Sequence, residues 1–407
     1  MSTAVAFDPF EAGYVESPYA QYARLRTSDP VHWSDLLEGW VLTRYDDVAR
    51  VLRDPTISVE LDQARPTAAV ESERTRMAER GSGKADTLVL RDDPDHARLR
   101  RLLQQPFGIR AIDDLREMIR GRVDDALDVL VGRGEMDVIA DFAYPLPVAI
   151  FCEMLGIPEE DSPLFRDWTS AVARNLDPLI SDDERAHCFQ LLDEMERYLV
   201  DQIEEKRRNP ADDIMTELVH AEEEGDRLTR DELVAQLVTL YVAGHEPTTA
   251  LIGTGLLALL NFPEQREALD HDASRFPNAV NEFLRWDGPN QFVRRIATAP
   301  IEMSDRVVEA GQVIYCCVGA ANRDPERWGA DVDDVDIDRP DAGHHLQFGM
   351  GVHSCLGAHL ARLQAELALR ALVARLDHIA LAGPAVWSER MVIRGLRTLP
   401  ITFTAKR

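Results

Sequence analysis

Residues 233–260 read LVAQLVTLYVAGHEPTTALIGTGLLALL. This stretch constrains the fold more than any other. It is apolar nearly all round, so as a helix it must cross a core and cannot lie on a surface. Thr229 and Glu232 form a Thr-x-x-Glu capping box at its start. A helix from there to Leu260 would be about 45 Å long, which demands a large, helix-rich body around it. Its centre, AGHEPTT, breaks the pattern with a glycine, two ionisable side chains and Pro247. A proline inside a helix removes a hydrogen bond and costs about 3 kcal/mol. A buried carboxylate is costly unless paired. Those costs mark residues 243–249 as a functional segment.

The 407 residues allow one large domain or two to three ordinary ones. The formal net charge of −27 argues against a nucleic-acid surface and against adhesion to anionic membranes. The first twenty residues have no basic and apolar regions of a signal peptide, and Glu246 interrupts the most apolar stretch. A cytoplasmic protein without a membrane span is expected. Five cysteines at scattered positions form no disulfide framework, and no Cys-x-x-Cys pair suggests zinc.

Helical periodicity dominates the chain. Residues 17–28 and 45–53 predict short helices, with a hairpin of VHWS and GWVLT between them. Residues 61–88 lack clear periodicity and predict an irregular stretch. AEEEGD, 221–226, predicts a solvated loop. Short strands are expected after residue 300, then a helix over 357–376 and a strand-rich tail.

The strongest local signal is HLQFGMGVHSCLGAHLARLQ, 345–364. Gly349, Gly351 and Gly357 let backbone approach something flat or large. Cys355 opens a helix, where free amides and the helix dipole favour its thiolate. A lone soft ligand without a second Cys or His at metal spacing argues against zinc. It leaves a metal whose other ligands belong to a cofactor, and haem held by one axial thiolate fits.

Phe348-x-x-Gly351-x-His353-x-Cys355-x-Gly357 resembles the haem-binding loop of the cytochromes P450. Glu282-x-x-Arg285 resembles the family's structural pair, and Pro94-x-His96-x-x-x-Arg100 its propionate segment. ANRDPERW, RGLRTLP and AGHE resemble further family segments. The matches run in order from about residue 20 to 402. The resemblance implies a single mostly α domain over 1–407, a helical bundle with small β-sheets. It places the haem between the long central helix and the Cys-loop helix.

The resemblance also implies the site. Cys355 would ligate the iron of haem b, with Phe348 and Gly357 in the same loop. His96 and Arg100, four apart on one helix face, would join Arg295 and His353 in holding the propionates. Ala243, Val293, Val392 and Ile393 would line the substrate pocket. Glu246 and Thr248 would deliver protons. Pro247 stands where the family's motif has a threonine hydroxyl, so the helix is expected to open at Ala243–Pro247, leaving a carbonyl for water or substrate. One residue further on is roughly 100° around the helix, which aims Thr248 elsewhere.

The activity implied is activation of dioxygen to oxidise a small organic molecule in secondary metabolism. No Gly-x-Gly-x-x-Gly follows a strand, so electrons from NAD(P)H would arrive through a separate ferredoxin or flavodoxin and reductase. Arg98, Arg101, Arg110 and Arg362 are expected on the face that such a partner meets. The protein is expected to be a monomer. Three other readings stay open: coupling or ring closure without oxygen insertion, a non-catalytic haem sensor, and a metal-free scaffold.

Overall fold

The computed structural model describes residues 6–79, 87–177, 179–223 and 226–406. In chain order α1 (Tyr19–Ser28), β1 (Val31–Ser34), β2 (Gly39–Leu42), α2 (Tyr45–Arg53) and α3 (Ala68–Glu79) open the fold. Then come α4 (Asp95–Leu103), α5 (Ile109–Asp114), α6 (Arg116–Leu130), β3 (Glu135–Asp137), α7 (Pro145–Leu155), α8 (Ser162–Asn175), α9 (Asp182–Arg208) and α10 (Ile214–His220). The hairpin β4 (Glu222–Glu223) and β5 (Asp226–Arg227) leads to α11 (Arg230–Asn261), α12 (Pro263–His271) and α13 (Phe276–Asp287). The last part holds β6 (Phe292–Ile296), β7 (Ile301–Met303), β8 (Arg306–Val308), β9 (Val313–Cys317), α14 (Val318–Ala321), α15 (Pro325–Trp328), α16 (Ala358–Arg375), β10 (Leu376–Leu381), β11 (Val386–Trp387), β12 (Leu396–Thr398) and β13 (Pro400–Ala405).

The central helix α11 begins where its capping box predicts. Thr229 accepts from the Glu232 backbone N–H, and Glu232 reaches back to the Thr229 N–H at 2.7 Å. Its apolar flanks are buried on every side because α7, α8, α9, α13 and α16 surround it. One large cluster joins Leu237, Tyr241, Ile252 and Leu256 of this helix to Phe151, Phe165, Phe283 and Leu369 of its neighbours. Gly244 is required by that packing: a Cβ there would lie 1.9 Å from Phe151 Cζ. The expectation that α11 opens at Ala243–Pro247 is not met. The helix is continuous from Arg230 to Asn261, since packing from all sides holds it through the proline.

Small sheets cover the flanks. The β1–β2 hairpin joins strands from far down the chain in the order β1-β2-β9-β6, with β2 and β9 parallel. β10, β13 and β3 make a second sheet. Two expectations need correction. The stretch over 61–88 contains α3, although residues 80–86 lie outside the described residues. AEEEGD carries the antiparallel pair Glu222–Arg227 and Glu223–Asp226. Val138–Leu155 is also long and apolar enough to cross a membrane, but 67% of it is buried within the fold.

The buried pair Glu282–Arg285 ties α13 to the segment that follows α15. Arg285 donates two 2.7 Å bonds to the carboxylate and others to the carbonyls of Asn322, Val332 and Asp334. Arg339 adds a bond of 3.0 Å to the same Glu282. A charge so deeply buried is tolerable only with partners of this number, and they set the path that delivers the loop before α16.

Candidate active site

The loop from His345 to Gly357 is shaped by its glycines. Gly349 and Gly351 have φ of +65° and +70°. A Cβ at Gly351 would also meet the Leu52 carbonyl at 3.0 Å, so this position excludes other residues. The turn brings the Cys355 N–H onto the Phe348 carbonyl at 2.8 Å. Cys355 is the exposed one among five cysteines. Surrounding protein pushes its thiol up, opposed by the Gly357 N–H, Arg362 and Arg100. Gly357 caps α16, and no heavy atom lies within 4 Å of where its Cβ would sit. The side of Gly357 is therefore open.

Next to this loop is a buried basic cluster. His96 is 2% exposed, and its Nε2 has no partner. Its Nδ1 lies 3.2 Å from Asp93, and its ring centroid is 4.2 Å from that of His353. Burial, with His96 and Arg295 nearby, pulls His353 down to about 4. Arg295 is buried too. Its guanidinium donates to the Arg294 carbonyl at 2.8 Å, and burial lowers its pKa. A buried donor without an acceptor is costly. The orphaned His96 Nε2, beside His353 and Arg295, therefore calls for an acceptor, which a carboxylate of a haem would supply. The residues present fit that cofactor.

Arg100 donates to the carbonyls of Val352 and Ser354 at 3.0 and 2.9 Å, bracketing His353. The guanidinium thus also holds the loop. Arg294 faces away from Arg295, as strand alternation requires, and pairs with Glu73 at 2.8 Å.

On the central helix, Ala243 is exposed within a run that is otherwise mostly buried. Val242 packs with Ala173 of α8 and with Ile393, and Val392 lies against them. The Val392 carbonyl accepts from Gln291, and Ile393 bridges Asn290. That tie sets the turn beside β6, where half-buried Val293 shares a face with Arg295. Val392 and Ile393 thus lie against α11 at Val242, next to Ala243, whereas Val293 packs against the separate cluster that contains Cys316 and Leu346.

The two relay candidates are both engaged. Thr248 is 2% exposed and donates its hydroxyl to the Gly244 carbonyl at 2.8 Å, one turn back on its own helix. Glu246 accepts a 2.7 Å bond from Arg390. His245 packs edge-on against Tyr144, away from solvent, and burial lowers it to about 4. Arg390 and Arg339 carry no local signal in the sequence. Of the expected basic face, Arg98 is paired with Glu232 and Asp226, and Arg362 stacks on Phe348 and bonds Asn281 at 2.8 Å. Arg101 and Arg110 are exposed.

Known proteins share this fold. The family profile described as Cytochrome P450 matches residues 41–389. Cytochrome P450 107B1 of Saccharopolyspora erythraea is 37% identical over 96% of both chains. The cytochrome P450 monooxygenase PikC of Streptomyces venezuelae is 36% identical, over 97% of this chain and 93% of that one. The structure of the bacillaene polyketide synthase cytochrome P450 PksS of Bacillus subtilis superposes with a TM-score of 0.89. It is 32% identical and covers 98% of this chain and 100% of that one. With profile, relatives and fold in agreement over nearly its whole length, the chain belongs to the cytochrome P450 family of haem–thiolate oxidoreductases.

Proposed function

We propose that this protein oxidises a small organic molecule of secondary metabolism, with haem b held by the Cys355 thiolate. Bound there, the haem would supply dioxygen activation, which thiolate ligation favours. The observation that carries the assignment is the exposed Cys355 at the mouth of a glycine-shaped loop, beside open space at Gly357. His96, His353 and Arg295 would neutralise the propionates, while Arg100 would fix the loop that presents the thiolate. Substrate would lie against Ala243, Val293, Val392 and Ile393. The relatives' names, a monooxygenase and a polyketide synthase cytochrome P450, support secondary metabolism as the setting. Electrons would come from NAD(P)H through a reductase and a ferredoxin or flavodoxin, in the cytoplasm, to a monomer. Reduction under carbon monoxide tests the ligand. A strongly red-shifted band that vanishes in Cys355→Ser, with the fold kept, is expected. A band surviving in Cys355→Ser would move the ligand elsewhere.

A second reading rests on Pro247. The position of the family's proton-donating hydroxyl has none, and Thr248 spends its own on Gly244. Glu246, water and a polar group of the substrate would then carry protons. Such a site suits hydrogen abstraction followed by ring closure or coupling, without oxygen insertion. A spectral-shift screen identifies the substrate. Product formed per NAD(P)H is then compared in Thr248→Val and Glu246→Gln. Near silence of the first and damage in the second is expected; equal damage would restore Thr248 as the working hydroxyl.

A further inference from the structure

Arg390 joins α8 to two elements that supply expected pocket residues, α11 and the connection between β11 and β12. Its Nη1 donates to Glu246 on α11 at 2.7 Å, and its Nη2 donates to Ser170 on α8 at 3.0 Å. The side chain itself comes from the connection between β11 and β12. One residue on, the Met391 N–H donates to Asp177 beyond the end of α8 at 2.8 Å. Beside this ionic clasp lies its apolar counterpart, Ala173, Val242 and Ile393. Both partners are largely shielded, with side-chain exposures of 17% for Arg390 and 12% for Glu246.

On its outer side Arg390 meets water. A surface cleft of about 580 Å³ is lined by Tyr14, Asp177, Trp387, Met391 and Arg390 itself. Arg390 is thus a wall with the cleft on one side and the Glu246 carboxylate on the other. His245 on its own helix and Tyr144 before α7 interact with Glu246, and Arg166 on α8 lies near both of them. His245 is turned to the Tyr144 carbonyl at 3.3 Å, and the Tyr144 hydroxyl to Arg166 and Thr169. Among the described residues, Arg390 is the side chain that bonds Glu246.

We propose that Arg390 is a positioning residue for proton delivery: it fixes the Glu246 carboxylate and controls entry of cleft water to it. This rests on the reading of Glu246 as the proton relay. The carboxylate takes up a proton from hydronium in cleft water and passes it inward, and that loss leaves it ionised and back in its ion pair with Arg390. A group misplaced by about 1 Å can lose about 100-fold in rate, so a single anchored geometry matters. The two-point bond explains why an arginine serves here. Its planar fork spans Glu246 and Ser170 together, which a single ammonium does less well.

The test uses the haem-loaded protein with dioxygen as the probe, a surrogate ferredoxin and its reductase. Dioxygen leaves as hydrogen peroxide or as water, and both fates take electrons from NAD(P)H and protons from solvent. The readouts are the peroxide share and the solvent deuterium isotope effect on oxygen consumption. Arg390→Gln is expected to raise the peroxide share several-fold and to alter the isotope effect, with Arg390→Lys between it and wild type. Adding Arg390→Gln to Glu246→Gln is expected to change nothing further, as for groups acting in one unit. Hydrogen exchange should quicken at residues 388–393 and at the end of α8 in Arg390→Gln. Arg390→Gln matching wild type, while Glu246→Gln is damaging, would overturn this proposal and leave the relay standing. Glu246→Gln matching wild type would instead sink the relay reading. Imidazole serves as a second probe, its association followed by the ferric spectral shift. A large acceleration in Arg390→Gln, without a change in the isotope effect, would make Arg390 a gate for ligands and overturn its role in proton delivery.

Discussion

Glu282 and Arg285 meet through two parallel 2.7 Å bonds, with neither side chain exposed at all. Arg339 approaches the same carboxylate at 3.0 Å and is 6% exposed. Removing one partner of a buried pair costs about 3–5 kcal/mol, and Glu282→Ala would leave two buried guanidinium groups behind. Denaturant unfolding should show a loss of at least that order. The yield of haem-loaded protein should fall too, because the network sets the chain path into the Cys355 loop. Full haem loading in Glu282→Ala would show that the loop forms without it.

Gly244 offers a second test of packing. Alanine is favoured over glycine in helices by about 1 kcal/mol, so Gly244→Ala should stabilise an open helix. Here its Cβ would meet Phe151 at 1.9 Å. Overpacking of this kind costs about 1–3 kcal/mol. Gly244→Ala should therefore lower the denaturation midpoint, and Phe151→Leu in the same chain should recover part of the loss. Stabilisation by Gly244→Ala alone would contradict the close approach of α7 to α11.

His245 makes stability depend on pH. Burial lowers it to about 4 from an ordinary 6.5, so between those values the unfolded chain binds a proton that the folded chain does not. Stability then falls as pH drops through this window. From pH 7 to pH 5 the loss from this side chain should be about 2 kcal/mol, at about 1.4 kcal/mol per unit. His245→Gln should be less stable at pH 7 yet flatter across the window. Equal slopes in both proteins would remove His245 as the source.

Electron delivery should depend on the exposed arginines near the loop. Arg98 is already neutralised by Glu232 and Asp226, whereas Arg110 is exposed and can steer an acidic partner. Steering weakens with salt because the Debye length is about 8 Å at physiological ionic strength. Stopped-flow reduction should slow as salt rises and slow again in Arg110→Glu, while Arg98→Gln should change little. Rates indifferent to salt and to Arg110→Glu would place the partner on another face.

The sequence by itself determined what depends on neighbouring residues. The capping box of Thr229 and Glu232 set the start of α11 to the residue, since both bonds close within one turn. The spacing of Gly349 and Gly351 before Cys355 announced a loop, because positive φ and close approach are properties of single positions. The burial of the apolar run followed from its lack of a polar face. Tertiary structure alone decided the partners. Glu246 finds Arg390 across 144 positions, and Glu282 finds Arg339 across 57. β2 lies beside β9 after most of the chain has intervened. Arg100, by its spacing a partner of His96, turned to loop carbonyls that only the folded chain brings near. Pro247, which breaks helices in isolation, sits inside an unbroken one. Local geometry is written in consecutive residues, whereas a pairing across the molecule depends on the path of all the backbone between, and packing against that path can override a local preference.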